Sequence, residues 1–315
     1  MPGLALHSGQ AQIAIMTAEP LIAHLKTRAA VAVGGPDARS FLQGLLTQDV
    51  ETLAPGELRF GALLTPQGRL LHDLFLLGRE DGVWLDVAAD QRDALLQRLM
   101  MYRLRAKVEL AAVDAGVFAT FGAPPDVIPE AAKRLSGTQE QRTDPLDPGS
   151  SARESGLAAG LTAWCADPRL SALGWRGYGA MYATADETAY DAHRLAFGVP
   201  GSADWGTDKT YPIEANFDLL NGIDFAKGCF VGQETTSRMK RRGIIKNRML
   251  PIIFDGRAPA PGAEVLAGTL RAGEVLSGGN GRAMALVRLD RAVGADLSVD
   301  GRPTSVETPA WLAAT

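Results

Sequence analysis

The sequence contains few of the residues that hold metals or cross-link a chain: two cysteines and four histidines among 315 residues. The two cysteines, Cys165 and Cys229, exclude a disulfide framework. Structural zinc usually needs about four Cys or His ligands at short spacing, and an iron–sulfur cluster typically needs about four thiolates. Because the histidines are scattered, this chain alone builds neither site. Cys165 ends an apolar run and is expected to be an inert core residue.

Long apolar runs are also absent. No stretch approaches the roughly 20 apolar residues of a membrane helix, and Met1–Gly9 lacks the basic region and apolar run of a secretory signal. The 36 acidic and 32 basic residues leave a net charge of −4, which argues against wholesale nucleic-acid binding. These features predict a cytoplasmic, reduced protein with no membrane and no nucleic-acid partner.

The rest of the composition, 46% hydrophobic and 22% charged, is that of a folded protein. A length of 315 residues exceeds what one core usually serves, so two or three domains are expected. Apolar periodicity predicts two helices in the first third of the chain. The first begins at Asp37 and carries four apolar residues on one face: Phe41, Leu42, Leu45 and Leu46. The second begins at Asp90 and carries four on its buried side: Leu95, Leu96, Leu99 and Met100. The predicted strands there form a mixed sheet: Ala30–Val33, Leu58–Leu64 and Arg69–Leu77 around a hairpin turn at Thr65–Gly68, Val83–Val87, Val108–Val113 and Val117–Phe121.

The composition and hydrophobic pattern of the sequence change twice between residue 136 and the end of the chain. Ser136–Gly156, rich in Pro, Gly, Ser and acids, predicts a surface loop, and it is followed by a strand at Trp175–Tyr182 and a helix from Asp186 to Phe197. From Arg248 onward, short β-prone runs alternate with Gly-rich turns, which predicts a small antiparallel barrel or sandwich. The fold class is therefore α+β, with too little β-α alternation for a Rossmann fold.

The densest candidate site is Lys227–Glu234, which reads Lys-Gly-Cys-Phe-Val-Gly-Gln-Glu. Two glycines flank Cys229 and free the backbone for a tight turn or for close approach to a ligand. A helix predicted over Gln233–Arg242 places the thiol shortly before a helix N-terminus, where the dipole and Lys227 would favour the thiolate. The alternative is that Cys229 is a small buried residue, and the local pattern favours neither reading.

A basic segment follows directly. Arg238–Arg248 contains six bases and no acid in eleven residues. Such a segment can receive a polyanionic ligand tail or an acidic partner surface. The alternative is a solvated helix face, which is what most charge runs are. Its position next to Cys229 favours the functional interpretation.

Lys227–Glu234 resembles the K-G-C-[YF]-x-G-Q-E motif of the YgfZ-type folate-binding proteins and their mitochondrial relatives in iron–sulfur cluster assembly, within the superfamily of the glycine-cleavage T-protein, an aminomethyltransferase. The segment after the cysteine resembles the mitochondrial-type assembly factors more closely. Other segments match the family in order: Phe41–Gly44 with Thr47–Val50, Thr65–Arg69, Asp167–Arg169 with Gly174–Arg176, Arg194–Leu195 with Gly198–Pro200, Pro212–Asn216, Gly222–Phe225, Gly243–Lys246 and Gly273–Ser277.

The resemblance implies a T-protein-like fold, with mixed α/β subdomains around a central hole that can hold tetrahydrofolate, followed by a small antiparallel β-barrel. The implied division is a folate-binding-like α/β region of two interleaved subdomains at residues 20–245 and a barrel at residues 246–315.

The resemblance also implies site residues. A catalytic aspartate of the T-protein lies in the strand after the hairpin turn, and the matching position is Asp73, whose carboxylate would contact a folate nitrogen or steer protons. The alternative for Asp73 is an ordinary strand carboxylate facing water. Cys229 is the implied functional thiol and a candidate metal ligand to a shared cluster. The implied cofactor contacts are Asp73, Glu214, Lys227, Glu234 and Arg238.

The chain departs from the T-protein at two positions. The T-protein reads Arg-Leu-Glu-Ala-Gly where Arg194–Gly198 reads Arg-Leu-Ala-Phe-Gly, so a carboxylate expected to bind the pterin is missing. Cys229 stands where the T-protein has the aspartate of K-G-D-F-x-G. Replacing an acid by a thiol disfavours aminomethyl transfer.

The expected function is assembly or repair of iron–sulfur clusters in support of [4Fe–4S] proteins. Cys229 would engage a cluster shared with an A-type carrier or client protein, and the basic segment would dock the partner. Such a factor is non-enzymatic, although the residues leave turnover open. One alternative is a tetrahydrofolate-dependent one-carbon transferase using Asp73. Another is a folate-binding sensor in which Cys229 has no role.

Overall fold

A computed structural model of the chain describes residues 20–122, 163–243 and 245–313. The predicted loop Ser136–Gly156 and the segment Met1–Gly9 lie outside the described residues. The described strands are β1 Leu21–His24, β2 Arg28–Gly34, β3 Leu58–Leu64, β4 Leu70–Arg79, β5 Gly82–Ala88, β6 Glu109–Val113, β7 Gly116–Phe121, β8 Ala163–Ala166, β9 Trp175–Gly179, β10 Asn247–Phe254, β11 Glu264–Ala267, β12 Leu270–Gly279, β13 Arg282–Arg288, β14 Leu297–Val299 and β15 Arg302–Val306. The described helices are α1 Ala38–Gln43, α2 Arg92–Arg103, α3 Glu187–Ala196, α4 Gln233–Arg242, α5 Leu289–Ala292 and α6 Ala310–Ala313.

The first sheet is antiparallel with the strand order β3-β4-β5-β2-β6. Its hairpin β3–β4 turns at Thr65–Gly68 as predicted. The Thr65 amide donates to the Arg69 carbonyl at 2.8 Å, and Gly68 has φ +83°. Glycine adopts this left-handed conformation without the penalty that a Cβ atom brings.

β4 is buried on both faces of this sheet. Leu74 and Leu76 pack into a core with α1 and α2, whereas Phe75 and Leu77 face a second core that includes the other sheet. A charged side chain in such a strand is costly to bury unless it is paired. The position of Asp73 in β4 therefore requires ionic partners.

The second sheet is also antiparallel, with the order β1-β7-β9-β8. The expectation that β6 and β7 complete one mixed sheet is wrong: β6 pairs with β2 of the first sheet, and β7 pairs with β1 and β9 of the second. Residues 114–115 carry the chain from one sheet to the other. Alternation of apolar residues marks both strands but does not name their partners.

The helices differ from the predictions at their ends. α1 ends at Gln43, so Leu45 and Leu46 are buried beyond the helix. The Asp37 carboxylate does not cap α1 but accepts a hydrogen bond from the Lys107 amide at 2.7 Å. Asp37 is thus used to hold a distant loop.

Two further boundaries are corrected. In α2, Leu95 and Leu99 are buried, but Met100 is 53% exposed, because the first sheet covers only a narrow stripe of the helix. β9 ends at Gly179, where φ is +135°, and not at Tyr182. α3 and α4 form where they were predicted, and the Asp186 side chain caps α3 by accepting from the Ala189 amide at 2.9 Å.

The C-terminal strands close into an antiparallel barrel in the order β10-β13-β12-β11-β14-β15, with β10 also pairing to β15. Barrel formation is therefore confirmed. The predicted boundary at residues 245 and 246 lies directly before β10. Met249 and Met284 of the barrel join the core shared by the two sheets, so the barrel packs against the rest of the molecule.

Candidate functional site

A cavity of about 1060 Å³ opens where the two sheets, α3 and the barrel approach one another. The first sheet contributes Arg28 and Asp73, the second contributes Arg176, and the barrel contributes Ser277 and Arg282. The volume lies slightly above the range usual for small-molecule sites, about 300–1,000 Å³. All three parts of the fold thus meet at one binding-sized space.

Asp73 is buried, with both carboxylate oxygens engaged. Arg28 Nη1 donates to Oδ2 at 2.7 Å, and the Ser202 hydroxyl donates to Oδ1 at 2.9 Å. Burial alone would raise the pKa of Asp73, but the Arg28 guanidinium, the Ser202 hydroxyl and the nearby Arg169 hold it below its ordinary value. The carboxylate is therefore ionised at neutral pH, and the alternative of a strand carboxylate facing water is wrong.

Three buried guanidinium groups surround the aromatic ring of Phe75. The Cζ atoms of Arg28, Arg169 and Arg176 lie 5.5, 4.9 and 3.7 Å from its centroid. All three arginines line the cavity. Contact with an aromatic face stabilises desolvated cations, and this arginine cluster (Arg28, Arg169 and Arg176) forms one wall of the cavity.

Buried carboxylates balance the arginine cluster. Asp86 accepts from Arg28 Nε at 2.7 Å and from Arg176 Nη1 at 2.8 Å, and Asp167 binds Arg169 in a bidentate pair at 3.0 and 2.8 Å. The Nε atom of Arg176 is buried and has no hydrogen-bond partner among the described residues. The wall is thus neutral overall but retains an unused N–H donor.

Sequence reasoning missed part of this wall. Arg169 and Arg176 lie in segments that resemble the family, but the resemblance assigns them no role in a site. Asp86 and Arg28 belong to none of the predicted sites. Asp86 did carry a signal, because it is a lone carboxylate inside the apolar run Val83–Val87. Arg28 carried none, because a base at the start of a strand is ordinary.

The C-terminal end of α3 borders the cavity at Ala196. This is the position where the T-protein motif has a glutamate, so its replacement removes a carboxylate from the cavity wall. Two residues earlier, Arg194 pairs with Asp204 at 3.2 Å and donates to the Val199 carbonyl at 2.7 Å. The helix end is therefore held in place without the missing acid.

Cys229 lies outside this cavity, exposed on the loop of residues 222–232, called here the cysteine loop. The loop ends at Gly232, which has φ +81° and precedes α4. A Cβ atom at Gly232 would lie 2.6 Å from the Thr65 carbonyl oxygen and 2.9 Å from Gly68 Cα. Only glycine allows this approach, so the hairpin turn supports the cysteine loop directly.

Lys227 anchors the other side of the cysteine loop. Its Nζ atom donates to the carbonyl oxygens of Gln43 and Leu46 at 2.5 and 2.6 Å, at the C-terminal end of α1. Burial lowers the pKa of Lys227 to about 8. The two carbonyl oxygens, at the C-terminal end of a helix, favour the ammonium form, and through them Lys227 anchors the loop to α1.

Segments far apart in sequence therefore converge. The Thr47 hydroxyl donates to the Gly222 carbonyl at 2.7 Å, and the Asp224 amide donates to the Thr47 carbonyl at 2.9 Å. Residues 43–48, the hairpin turn and the cysteine loop form one assembly that presents Cys229 to solvent. No group of three His, Cys, Asp or Glu side chains within the described ranges converges on a metal position.

The other predicted site residues lie away from the cavity. Glu214 accepts from the Tyr211 amide at 3.1 Å and from Asn247 Nδ2 at 3.0 Å, which ties its loop to the barrel. Glu234 and Arg238 are exposed on α4. Only Asp73 of the five implied cofactor contacts lines the cavity, because the cysteine loop and α4 pack beyond the hairpin turn.

Two more residues are placed by the structure. Arg248 is not part of the exposed basic patch: it is buried, pairs with Asp218 at 2.9 Å and donates to the Ile213 carbonyl at 3.0 Å. Cys165 is a core residue, as predicted. Its thiol donates to the Gly56 carbonyl, and burial raises its pKa to about 11.

The fold is that of the glycine-cleavage T-proteins. The crystal structure of glycine cleavage system aminomethyltransferase T from Bartonella henselae matches 97% of this chain and 90% of its own, with a TM-score of 0.70 and 18% sequence identity. The predicted fold class, α+β with T-protein-like subdomains and a C-terminal antiparallel barrel, is confirmed. At this identity the likeness concerns the fold alone.

Sequence comparison identifies the family. The family models described as the GCVT N-terminal domain and the CAF17 C-terminal beta-barrel domain match residues 16–123 and 246–314. The human iron-sulfur cluster assembly factor IBA57 is 30% identical over 287 residues, covering 79% of this chain and 74% of the relative. The Pyricularia oryzae homolog is 30% identical, covering 89% and 74%. The chain belongs to the CAF17/IBA57-type family.

The chain spans little more than half the length of other relatives, such as 54% of the Neurospora crassa homolog, which is 32% identical over 254 residues. These relatives are named as mitochondrial proteins, so the prediction of a cytoplasmic location is wrong: the comparison points to mitochondria. In the part of the chain that the structure describes, no helix is long and apolar enough to span a membrane.

Proposed function

We propose that this protein is an iron–sulfur cluster assembly factor that supports the maturation of [4Fe–4S] proteins. The observation that carries the proposal is the exposed Cys229 thiol on a loop anchored by Lys227 and by the hairpin turn. The names of the family relatives, iron-sulfur cluster assembly factors, support it.

The exposed position of Cys229 suits a thiol that binds a cluster together with ligands from another protein. One thiol cannot hold a cluster that typically needs about four thiolates, but it can complete the coordination of a cluster brought by another protein. Cys229 would give up its proton and bind iron as the thiolate, because metal ligands must be deprotonated. The proposed partners are A-type carriers, which deliver the cluster, and [4Fe–4S] client proteins, which receive it.

We further propose that the cavity binds tetrahydrofolate. Its volume admits a ligand of this size, and its wall offers the Asp73 carboxylate and the arginine cluster. The arginines suit the carboxylates of a folate, and Asp73 suits a ring N–H donor. Tetrahydrofolate supplies a carrier for one-carbon groups when it is bound. The absence of a carboxylate at Ala196 predicts weak binding.

The structure does not favour the one-carbon transferase alternative. That alternative needs Asp73 to steer protons, but Arg28 and Ser202 engage both of its oxygens and keep it ionised. Asp73 can orient a ligand but is a poor general acid at neutral pH.

The test compares Cys229→Ala with Cys165→Ala in cells that depend on this protein for a [4Fe–4S] enzyme. Cys229→Ala is expected to abolish enzyme activity, and Cys165→Ala is expected to retain it, because only the first thiol reaches a partner. Thiol labelling checks that the variants fold. Native Cys229→Ala should label at its remaining cysteine only after denaturation, whereas native Cys165→Ala should label rapidly. Full activity of Cys229→Ala would overturn the proposal.

A further inference from the structure

The exposed face of α4 and the segment directly after it carry a concentration of unpaired positive charge. Arg238, Lys240, Arg241, Arg242 and Lys246 are exposed, and none forms an ion pair with an acidic residue in the described ranges. The chain as a whole has a net charge of −4. Five unpaired bases beside one loop of an acidic protein are available to an external anion.

A groove of about 610 Å³ runs along this helix. It is lined by Phe225, Gln233, Glu234, Ser237, Lys240 and Arg241. The five helical residues lie on one face of α4, and Phe225 of the cysteine loop forms the opposite wall. Lys240 Nζ lies 3.5 Å from the centroid of the Phe225 ring.

The groove has two chemically different ends. Lys240 and Arg241 lie at the C-terminal end of α4, where cations interact favourably with the helix dipole. Gln233 and Glu234 lie in the first turn of α4, directly after the cysteine loop, whereas the Phe225 ring lies at the Lys240 end, in contact with the Lys240 ammonium. Since Cys229 is four positions after Phe225 in the chain, a segment lying against the Phe225 ring is within about 14 Å of the Cys229 backbone.

We infer that this groove, lined by Phe225, Ser237, Lys240 and Arg241, docks an acidic protein segment that carries an apolar side chain and belongs to the partner that meets Cys229. The inference rests on the proposed function. The carboxylates of the segment pair with Lys240 and Arg241, and its apolar side chain packs beside the Phe225 ring, one face of which the Lys240 ammonium covers. The Gln233 and Ser237 side chains offer hydrogen bonds to its backbone.

The composition of the groove favours protein over nucleic acid as its occupant. A phosphate backbone would place a regularly spaced charge opposite Glu234 and opposite the acidic remainder of the molecule. A protein segment can instead confine its carboxylates to the Lys240 end and present a hydrogen-bond donor to Glu234. This arrangement would orient the partner with respect to Cys229.

The test uses the full chain and a fluorescein-labelled ten-residue peptide of alternating glutamate and leucine, with binding measured by anisotropy at about 0.15 M salt, where a Debye length of about 8 Å limits the effect of charges outside the groove. Arg241→Glu and Arg242→Glu are a matched pair, since the two arginines are adjacent and both exposed but only Arg241 lines the groove. Arg241→Glu should weaken binding by about tenfold or more, whereas Arg242→Glu should change it by less than about threefold. Circular dichroism checks that both variants fold.

Equal weakening by the two variants, or no weakening by either, would overturn the docking proposal. Two further results would also overturn it. One is that a single-stranded RNA of the same net charge binds as tightly as the glutamate–leucine peptide, and the other is that a glutamine–leucine peptide binds as tightly. Cys229→Ala should bind the peptide normally. The docking surface can therefore fail while the Cys229 test in cells succeeds, and the reverse result would leave the groove in place and reject the cluster function.

Discussion

At the scale of single residues, burial assigns opposite roles to groups of the same chemistry. Cys165 is buried, with its pKa raised to about 11, whereas Cys229 is exposed on a loop. Asp73 is buried among arginines and held ionised. A thiol that can reach a partner and a carboxylate that cannot take up a proton near neutral pH define two separate sites.

The first prediction concerns Asp73. Replacing it by asparagine removes a negative charge next to Arg28 and leaves that guanidinium underpaired, so Asp73→Asn should lower the free energy of unfolding by about 3–5 kcal/mol. The measurement is urea unfolding at pH 7. Asp81→Asn, at an exposed turn position, serves as the control and should have little effect.

The pH dependence has a definite sign. The folded-state pKa of Asp73 is lowered, so its stabilising contribution is complete above the unfolded-state pKa of about 3.9 and is lost as the pH falls toward the folded-state value. Between pH 5 and pH 3, the stability of Asp73→Asn should therefore fall less than that of the unaltered protein. Parallel curves would show that Asp73 is not the group involved.

At the scale of elements, the hairpin turn and the cysteine loop hold each other in place. The loop approaches the turn at Gly232, where a Cβ atom would lie 2.6 Å from the Thr65 carbonyl oxygen. Lys227 binds the end of α1 on the other side. The position of the thiol is thus determined by two elements that lie more than 150 residues earlier in the chain.

The second prediction compares two glycines of this loop. Gly232 and Gly228 both have positive φ, +81° and +97°, but a Cβ atom at Gly228 meets nothing within 4 Å. Gly228→Ala should cost about 1–2 kcal/mol from backbone strain alone, and Gly232→Ala about 2–4 kcal/mol because it also displaces the hairpin turn. Urea unfolding measures the difference.

The same pair separates strain from position. Gly232→Ala should also reduce support of [4Fe–4S] enzymes in cells and change the labelling rate of Cys229, since the loop must move away from the turn. Gly228→Ala should have a smaller effect on both the support of [4Fe–4S] enzymes and the labelling rate of Cys229. Equal effects of the two variants would mean that contact with the turn does not set the position of the thiol.

At the scale of the whole molecule, the cavity exists because three parts of the fold meet. Asp73 comes from the first sheet, Arg176 from the second and Arg282 from the barrel, and Arg282 also donates to the Ala196 carbonyl at 2.9 Å. Cys229 is presented on a different surface. The molecule thus keeps the cavity and the exposed Cys229 thiol apart.

The third prediction restores the missing carboxylate. Ala196→Glu should tighten tetrahydrofolate binding by about 10- to 100-fold, because a hydrogen bond to a charged group contributes about 1.5–3 kcal/mol. Ala192→Glu, one turn earlier on α3 and also at the cavity wall, is the matched control for added charge. Isothermal titration calorimetry measures both. Equal affinities for the two variants would show that the cavity does not place a pterin beside residue 196.

The elements that local pattern specifies were predictable. The β3–β4 hairpin, α3 with its Asp186 cap, α4 and the barrel strands follow from apolar periodicity and turn residues, which act over a few positions. The sheet partners of β6 and β7 were not predictable in this way, because pairing depends on contacts distant in sequence. Arg248 shows the same limit: it reads as part of a basic surface but is buried against Asp218.

The two cysteines determined from sequence alone that this chain lacks the thiolates that a cluster typically needs, and the Lys227–Glu234 motif indicated the family. Only the tertiary structure decided that Cys229 is exposed, that Lys227 anchors its loop to the end of α1, and that Asp73 is enclosed by arginines from other segments. The physical reason is that residue type and local spacing specify conformation and chemistry, whereas burial and ion pairing depend on which distant segments the fold brings together.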